Sequence, residues 1–270
     1  MPSNPDGRLR FFRRAVDKPK QPRLRRGVYL LPSLFTMGNM WCGYASIVYA
    51  LKGEYETAAP FIGIAYLLDA LDGRIARMTG TESEFGLQLD SLADVISFGI
   101  APAVLAYAWG LSSLGRVGWA AGFMFVACGA MRLARFNVLS AGGGDKRYYV
   151  GIPIPAAAAV IAATVYIYPS GLSDYRAALP ALAVVLVPAV IMVSTIKYRS
   201  FKDLDLKSRR SIRVLVIIAA GIVAIWTHPR LVLLAAAYTY LASGLVGWAI
   251  TRFRRDRRPA DVTPTAPLAR

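Results

Sequence analysis

Residues 66–102 read YLLDALDGRIARMTGTESEFGLQLDSLADVISFGIAP, and they place Asp69, Asp72, Asp90 and Asp94 inside two otherwise apolar segments. A carboxylate in a membrane-spanning helix costs about 2.5–3.5 kcal/mol on insertion scales, so four would cost roughly 10 kcal/mol. That cost is comparable to the folding stability of a whole domain, about 5–15 kcal/mol. The four acids therefore need neutralising partners, and their spacing suggests a divalent metal ion.

The rest of the chain has the composition of an integral membrane protein. Its 270 residues are 56% hydrophobic, with a mean hydropathy of +0.43, and the apolar residues come in long runs. Eight runs are long enough to span a bilayer or nearly so: 29–51, 57–79, 86–110, 115–139, 152–171, 176–196, 211–227 and 230–251. We predict an all-α integral membrane protein, a bundle of about eight transmembrane helices.

The basic residues favour an even number of spans with both termini in the cytoplasm. With a cytoplasmic N-terminus, only four of the 32 Lys and Arg residues fall in the predicted outside turns: Lys52, Arg116, Arg176 and Arg230. This asymmetry is what the positive-inside rule requires, whereas an odd number of spans would place one basic tail outside. The net charge of +16 then meets anionic headgroups on one membrane face, so we expect no nucleic-acid partner.

These patterns divide the chain into three parts. Residues 1–28 form a basic cytoplasmic segment, residues 29–251 a transmembrane domain, and residues 252–270 a basic cytoplasmic tail with the composition of a disordered segment. Cys42 and Cys128 fall in predicted spans without metal-ligand spacing, so we interpret them as small buried apolar residues.

The acids form two helical stripes. Asp69 and Asp72 lie on one face of the second span, and Asp90 and Asp94 lie one turn apart on the third. Two helices joined by a short turn near 80–85 are antiparallel neighbours, so the stripes can enclose an oxygen-ligated cation such as Mg²⁺ or Mn²⁺. The lack of a nearby His or Cys argues against zinc, and ion pairing with Arg74 and Arg77 would neutralise at most two acids.

The same residues match a known signature. The pattern Asp69-x2-Asp72-Gly73-x2-Ala76-Arg77-x8-Gly86-x3-Asp90-x3-Asp94 resembles, without a departure, that of the CDP-alcohol phosphotransferases. The resemblance implies that the four aspartates bind a divalent metal pair and that Asp94 takes the proton from the acceptor hydroxyl. It also implies that the CDP moiety is surrounded by Asp72, Gly73, Ala76, Arg77 and Gly86.

Three further stretches resemble the phosphatidylserine synthase branch of that family: LPSLFTMGNMWCGYASI (31–47), MRLARFNV (131–138) and VGIPIPAAAAV (150–160). The resemblance implies that CDP-diacylglycerol and L-serine react to give phosphatidylserine and CMP, with Thr36 and Asn39 against the nucleotide. Four aspartates would repel the carboxylate of serine unless cations lay beside it. The residues that we expect to bind serine or phosphate are Arg132, Arg135, Asn137 and Lys146, with Arg147 as a weaker candidate.

Purely structural roles for these residues also stay open. Thr36 and Asn39 would then only bond to neighbouring helices, and Arg132 and Arg135 would be arginines that extend from a helix end to the headgroups.

Other functions also stay open at this point. The same chemistry could use glycerol phosphate, inositol phosphate or choline as acceptor, although a phosphate-bearing acceptor would call for more cations around the cavity. A cation or proton transporter would need polar residues across the whole bilayer depth, and the spans other than the second and third have almost none.

The lone histidine bears on mechanism. His228 is the only histidine and lies on the predicted outer face, so the chain lacks the paired histidines of phospholipase-D-like phosphatidylserine synthases. With no activated Ser or Cys nucleophile evident, we expect direct attack by the serine hydroxyl on the β-phosphate.

The expected location is the inner (cytoplasmic) membrane, with the site facing the cytoplasm and membrane lipid around it. Relatives of this family often form homodimers, and Ser243, Gly244 and Gly247 offer a small-residue surface for helix packing. A homodimer is therefore a further expectation.

Overall fold

The structure, a computed structural model, describes residues 30–80, 83–141, 148–199 and 211–256. In these residues each of the eight predicted apolar runs forms one helix. The helices are α1 (Leu30–Leu51), α2 (Tyr55–Thr79), α3 (Glu84–Trp109), α4 (Arg116–Ala141), α5 (Ile154–Ile167), α6 (Tyr175–Val193), α7 (Ser211–Thr227) and α8 (Pro229–Asp256). A 3₁₀ turn, Leu111–Leu114, joins α3 to α4.

Four of the described helices are long and apolar enough to cross a membrane: α3, most of α4, α6 and the first 21 residues of α8. Helix α5 is a shorter apolar helix. Helices α1 and α2 have the length, with 22 and 25 residues, but their polar and charged residues leave them outside this set. The chain is a multi-pass helical membrane protein, and eight crossings stay a prediction.

Helix α3 contains a π turn, Val95–Ile100, which the sequence did not predict. Its cause is Pro102, which lacks an N–H and crowds the carbonyl one turn earlier in a regular α-helix. The N–H of Ala101 donates instead to the carbonyl of Ile96, five residues back. The turn begins directly after Asp94, so it separates the acidic half of α3 from its apolar half.

The π turn packs closely on α1. The Ser97 hydroxyl donates to the Asn39 carbonyl at 3.0 Å. A Cβ at Gly43 would lie 2.5 Å from the Ser97 hydroxyl oxygen and 2.8 Å from its Cα, so a larger residue would force the two helices apart. Helices α1 and α3 therefore meet one turn beyond Asp94.

Helix α5 forms the centre of the core. It is hydrophobic on all sides and packs against α2, α3, α6 and α8. Pro153 precedes its first residue and Pro155 occupies its first turn, as proline does at helix starts. Most of its residues are buried: Ile154, Ala157, Ala158, Val160, Ile161, Ala162, Ala163, Thr164 and Val165.

The fold departs from the all-α prediction in one place. Strand β1 (Tyr148–Val150) pairs antiparallel with β2 (Lys197–Arg199), and both lie at the same end of the bundle as the acids. Gly151 continues this ribbon, since its N–H donates to the Ile196 carbonyl at 2.8 Å. Its φ of +81° and the 2.2 Å that would separate a Cβ from the Met192 carbonyl oxygen both require glycine.

Tyr198 attaches the ribbon to α8. Its buried ring covers Gly244, where a Cβ would lie 2.1 Å from the ring, and its hydroxyl donates to the Leu241 carbonyl at 3.1 Å. Burial raises the pKa of Tyr198 to about 12. Gly244, which we expected at a dimer surface, thus contacts a side chain of its own chain, while Gly247 has no such neighbour within 4 Å.

The opposite end of the bundle is closed by polar contacts and bordered by aromatic residues. The Tyr55 hydroxyl donates to the Ala108 carbonyl at 2.7 Å, and the Trp109 indole donates to the Tyr168 carbonyl at 2.8 Å. Exposed aromatic side chains at this end are Trp119, Tyr175 and Trp226. Such residues concentrate at membrane–water interfaces, so this end has the character of one.

Candidate active site

Three of the four predicted aspartates converge. Asp69, Asp72 and Asp90 each offer a carboxylate oxygen within 4.8 Å of the others. The tight turn between α2 and α3 makes this possible: Gly80 ends α2 with φ +64°, and the Ser83 hydroxyl oxygen accepts the Gly86 N–H at 3.0 Å. The prediction that the two acidic stripes face each other is confirmed for these three residues.

Asp94 lies beside this group of three. It is close enough to Asp69, Asp72 and Asp90 for their charges to act on it, and the Arg132 charge acts on it as well. The Oδ1 atoms of Asp90 and Asp94 are buried, and neither has a hydrogen-bond partner within the described residues. Buried polar atoms rarely lack a partner, so these two oxygens are positioned for a ligand.

The donor set fits a divalent cation. Two carboxylates at this separation repel each other by roughly 3–4 kcal/mol at an effective dielectric constant of about 20. The group found among the described residues contains aspartates and no histidine or cysteine. Carboxylate oxygens are the ligands that Mg²⁺ and Mn²⁺ prefer. The acidic cluster is therefore compatible with divalent metal binding.

Helix α1 forms one wall of the site. The Thr36 hydroxyl donates to Oδ2 of Asp72 at 2.9 Å, and both side chains are buried, at 5% and 3% exposure. Asn39, one turn further along the same face, is fully buried, and neither polar atom of its amide finds a partner in the described part of the chain. The Asn39 amide therefore has hydrogen-bonding capacity that the described residues leave unused, whereas the Thr36 hydroxyl bonds to Asp72.

The remaining predicted CDP contacts lie around the α2–α3 turn. Arg77 is exposed and folds back over Gly73, with Nη1 3.8 Å from where a Cβ of Gly73 would be. Gly86 is partly exposed, and a Cβ there would lie 3.1 Å from the Ser83 hydroxyl oxygen. Ala76 is partly buried, and its carbonyl accepts the Gly80 N–H.

The predicted serine-binding residues separate into different environments. Arg132 is buried on α4, within electrostatic range of Asp94, and its guanidinium is 5.2 Å from the centre of the Phe136 ring, whereas Arg135 is exposed. Asn137 donates to the Ser91 hydroxyl oxygen at 2.9 Å and so holds α4 to α3 next to Asp90. Lys146 and Arg147 lie outside the described residues.

Sequence reasoning missed Ser91 and Ser97, which make the contacts of α3 with α4 and α1. Each lies within one turn of a predicted aspartate, and this proximity was the available signal.

Apolar side chains border the site. They are exposed on α2 and α3 in the same turns as the acids and at the α2–α3 connection: Leu71, Met78, Phe85 and Leu92. In a membrane protein such residues face lipid. Apolar surface of the kind that contacts lipid therefore lies beside the acids.

Residues 29–194 match the family described as CDP-alcohol phosphatidyltransferase. The match covers more than half of the chain and includes α1 to α6 and all four aspartates. The chain belongs to this family. Helices α7 and α8 lie beyond the matched residues, yet Tyr198 and the Thr164–Tyr238 hydroxyl contact of 2.9 Å attach α8 to the rest.

Relatives within this family include proteins named CDP-diacylglycerol–serine O-phosphatidyltransferase. The protein of that name from Helicobacter pylori (strain ATCC 700392 / 26695) is 36% identical over 226 residues, which is 82% of this chain and 92% of the relative. One from Mycobacterium leprae (strain TN) is 45% identical over 51% of this chain and 48% of its own length. An archaetidylserine synthase from Methanothermobacter thermautotrophicus is 38% identical over 62% of this chain and 69% of the relative.

The acidic cluster predicts that the protein binds a divalent metal ion even when no substrate is present. We expect the purified protein to take up Mn²⁺, measured as loss of the free-ion signal in electron paramagnetic resonance. Asp90→Asn should weaken this binding by about tenfold or more, since the loss of one charged ligand removes more than 1.4 kcal/mol. Glu54→Gln is the control, because Glu54 is exposed directly before α2, about four turns along the chain from Asp69. Equal Mn²⁺ affinity in Asp90→Asn and wild type would contradict the metal site.

Proposed function

We propose that the protein transfers the phosphatidyl group of CDP-diacylglycerol to the hydroxyl of L-serine, giving phosphatidylserine and CMP. The observation that carries this proposal is the buried Arg132, whose charge acts on Asp94 in the aspartate cluster. A cation at that place suits an acceptor that brings a carboxylate into an acidic site. The names of the relatives, one of which aligns over 82% of this chain, support serine as the acceptor.

The metal and the nucleotide are assigned to two sets of residues that share Asp72. We propose that Asp69, Asp72, Asp90 and Asp94 hold two Mg²⁺ or Mn²⁺ ions, which would neutralise the phosphates of the substrate when bound. For CDP we propose a binding wall of small and polar residues at the α2–α3 turn and on α1: Asp72, Gly73, Ala76, Arg77, Gly86 and Asn39. Gly73 supports this because it leaves its helix backbone open beneath the exposed Arg77 guanidinium.

The chemistry is a direct displacement. A neutral hydroxyl is a weak nucleophile, and Asp94 would accept its proton as the serine oxygen forms a bond to the β-phosphorus. The bond from that phosphorus to the bridging oxygen breaks, and CMP leaves with the electron pair. Arg132 would bind the serine carboxylate. Arg135, Asn137 and Lys146 stay weaker candidates, since Arg135 is exposed and Asn137 already bonds to Ser91.

We further propose that the chain lies in the inner (cytoplasmic) membrane with eight crossings, residues 29–251 forming the transmembrane domain. The basic segments 1–28 and 252–270 and the active site would face the cytoplasm, in accord with the positive-inside rule. A homodimer also stays a proposal, which the mass of the protein in a detergent micelle would test.

Acceptor choice gives the first test. With CDP-diacylglycerol and Mn²⁺ or Mg²⁺, purified protein should release CMP with L-serine and not with glycerol phosphate, inositol phosphate or choline. Arg132→Ala should raise the serine concentration for half-maximal rate by about tenfold or more, since a buried charged hydrogen bond is worth about 1.5–3 kcal/mol. Arg135→Ala, in the same helix but exposed, should change it by less than about threefold. CMP release with another acceptor and none with serine would refute the assignment.

Asp94 gives a second test. Asp94→Asn keeps the shape of the side chain but removes its basicity, so turnover should fall by about 100-fold or more while CDP-diacylglycerol still binds. Turnover is measured as CMP release, and binding as protection of the protein against thermal unfolding by the nucleotide lipid. Near-normal turnover in this variant would show that another group accepts the proton.

Membrane orientation gives a third test. Cysteines introduced as Glu54→Cys and Glu84→Cys, in a chain with Cys42 and Cys128 replaced by Ala, lie at exposed positions directly before α2 and at the start of α3. An impermeant maleimide added to intact spheroplasts should label the cysteine at position 54 and leave the one at position 84 unlabelled until the membrane is opened. The reverse pattern would place the active site outside.

A further inference from the structure

We infer that Thr36 is a positioning residue for the metal site: its hydroxyl fixes the carboxylate of Asp72 so that the oxygens stay turned toward Asp69 and Asp90. This inference rests on the metal-binding part of the proposed function. In it the Thr36 hydroxyl bonds to Asp72 and does not contact the nucleotide directly.

The need for such a residue follows from aspartate geometry. The last side-chain torsion of Asp is broad, so helix α2 alone does not fix the direction of the carboxylate oxygens. Asp72 is 3% exposed, which leaves little water to orient it, and the Thr36 hydroxyl is 2.9 Å from its Oδ2. Hydrogen bonds of this kind to a metal-ligating carboxylate hold the ligand in its binding orientation.

Thr36 can do this because α1 itself is fixed. Two turns further along α1, Gly43 lies against Ser97 so closely that a Cβ would be 2.8 Å from the Ser97 Cα. The Ser97 hydroxyl also donates to the Asn39 carbonyl at 3.0 Å. Helix α1 therefore binds α3, which carries Asp90, and through Thr36 it holds Asp72 on α2.

Two other roles for Thr36 make different predictions. Its hydroxyl oxygen is also 3.1 Å from the Pro32 carbonyl, so it could serve only its own helix. Removing it would then leave metal affinity unchanged. A direct nucleotide contact would raise the KM for CDP-diacylglycerol and likewise leave metal affinity unchanged.

The experiment measures Mn²⁺ affinity by electron paramagnetic resonance on the purified full chain without nucleotide or serine. Thr36→Val keeps the shape but removes the hydroxyl, and it should weaken Mn²⁺ binding by about ten- to 100-fold, while Thr36→Ser should stay within about threefold of wild type. Thr36→Ala carries the same expectation as Thr36→Val and serves if the valine variant does not fold. The matched control is Thr227→Val, whose hydroxyl donates to the Val223 carbonyl at 3.0 Å, away from the acids.

Unchanged Mn²⁺ affinity in Thr36→Val, or equal losses in Thr36→Val and Thr36→Ser, would overturn the inference. Wild-type protein that binds no Mn²⁺ would overturn it together with the metal site. Mn²⁺ binding without serine-dependent CMP release would refute the serine assignment alone, because this measurement contains neither substrate.

Discussion

Mutual repulsion among carboxylates at the end of a helical bundle is the constraint on which this structure depends. Asp69, Asp72 and Asp90 each place a carboxylate oxygen within 4.8 Å of the others, and Asp94 is close enough for their charges to act on it. Burying such a group is costly unless its charge is compensated, and one nearby buried arginine cannot balance four acids. The short α2–α3 turn brings these acids together, and the resulting cluster is suited to bind a cation.

Helix α1 contributes no acid, yet the geometry of the site depends on it. It contacts α3 at Gly43 and Ser97, and it contacts Asp72 through Thr36. Besides the short turn that joins the two acid-bearing helices at one end, a third helix that bonds to both helps to fix their separation. The close packing of Gly43 on α1 therefore helps to hold the acids of the site in position.

The sequence allowed the helices and the acidic site to be predicted because long apolar runs and aspartate spacing are local signals. Helix α8 runs to Asp256, beyond the predicted 251, because a helix can continue past its apolar run. The three-residue strands carry no periodic signal, and the π turn depends on how Pro102 is accommodated. Arg132 and Arg135 look alike in sequence, but only packing decides that the first is buried.

The exposed apolar border of the site, with Met78 81% and Phe85 72% accessible, has a kinetic consequence. A lipid substrate that stays in its leaflet reaches the acids by lateral diffusion, whereas a water-soluble acceptor arrives from bulk solvent in three dimensions. The effective concentration of the lipid is then its mole fraction in the surface, independent of the total volume. Diluting the membrane with inert lipid should slow the enzyme, while diluting the suspension at constant surface composition should not.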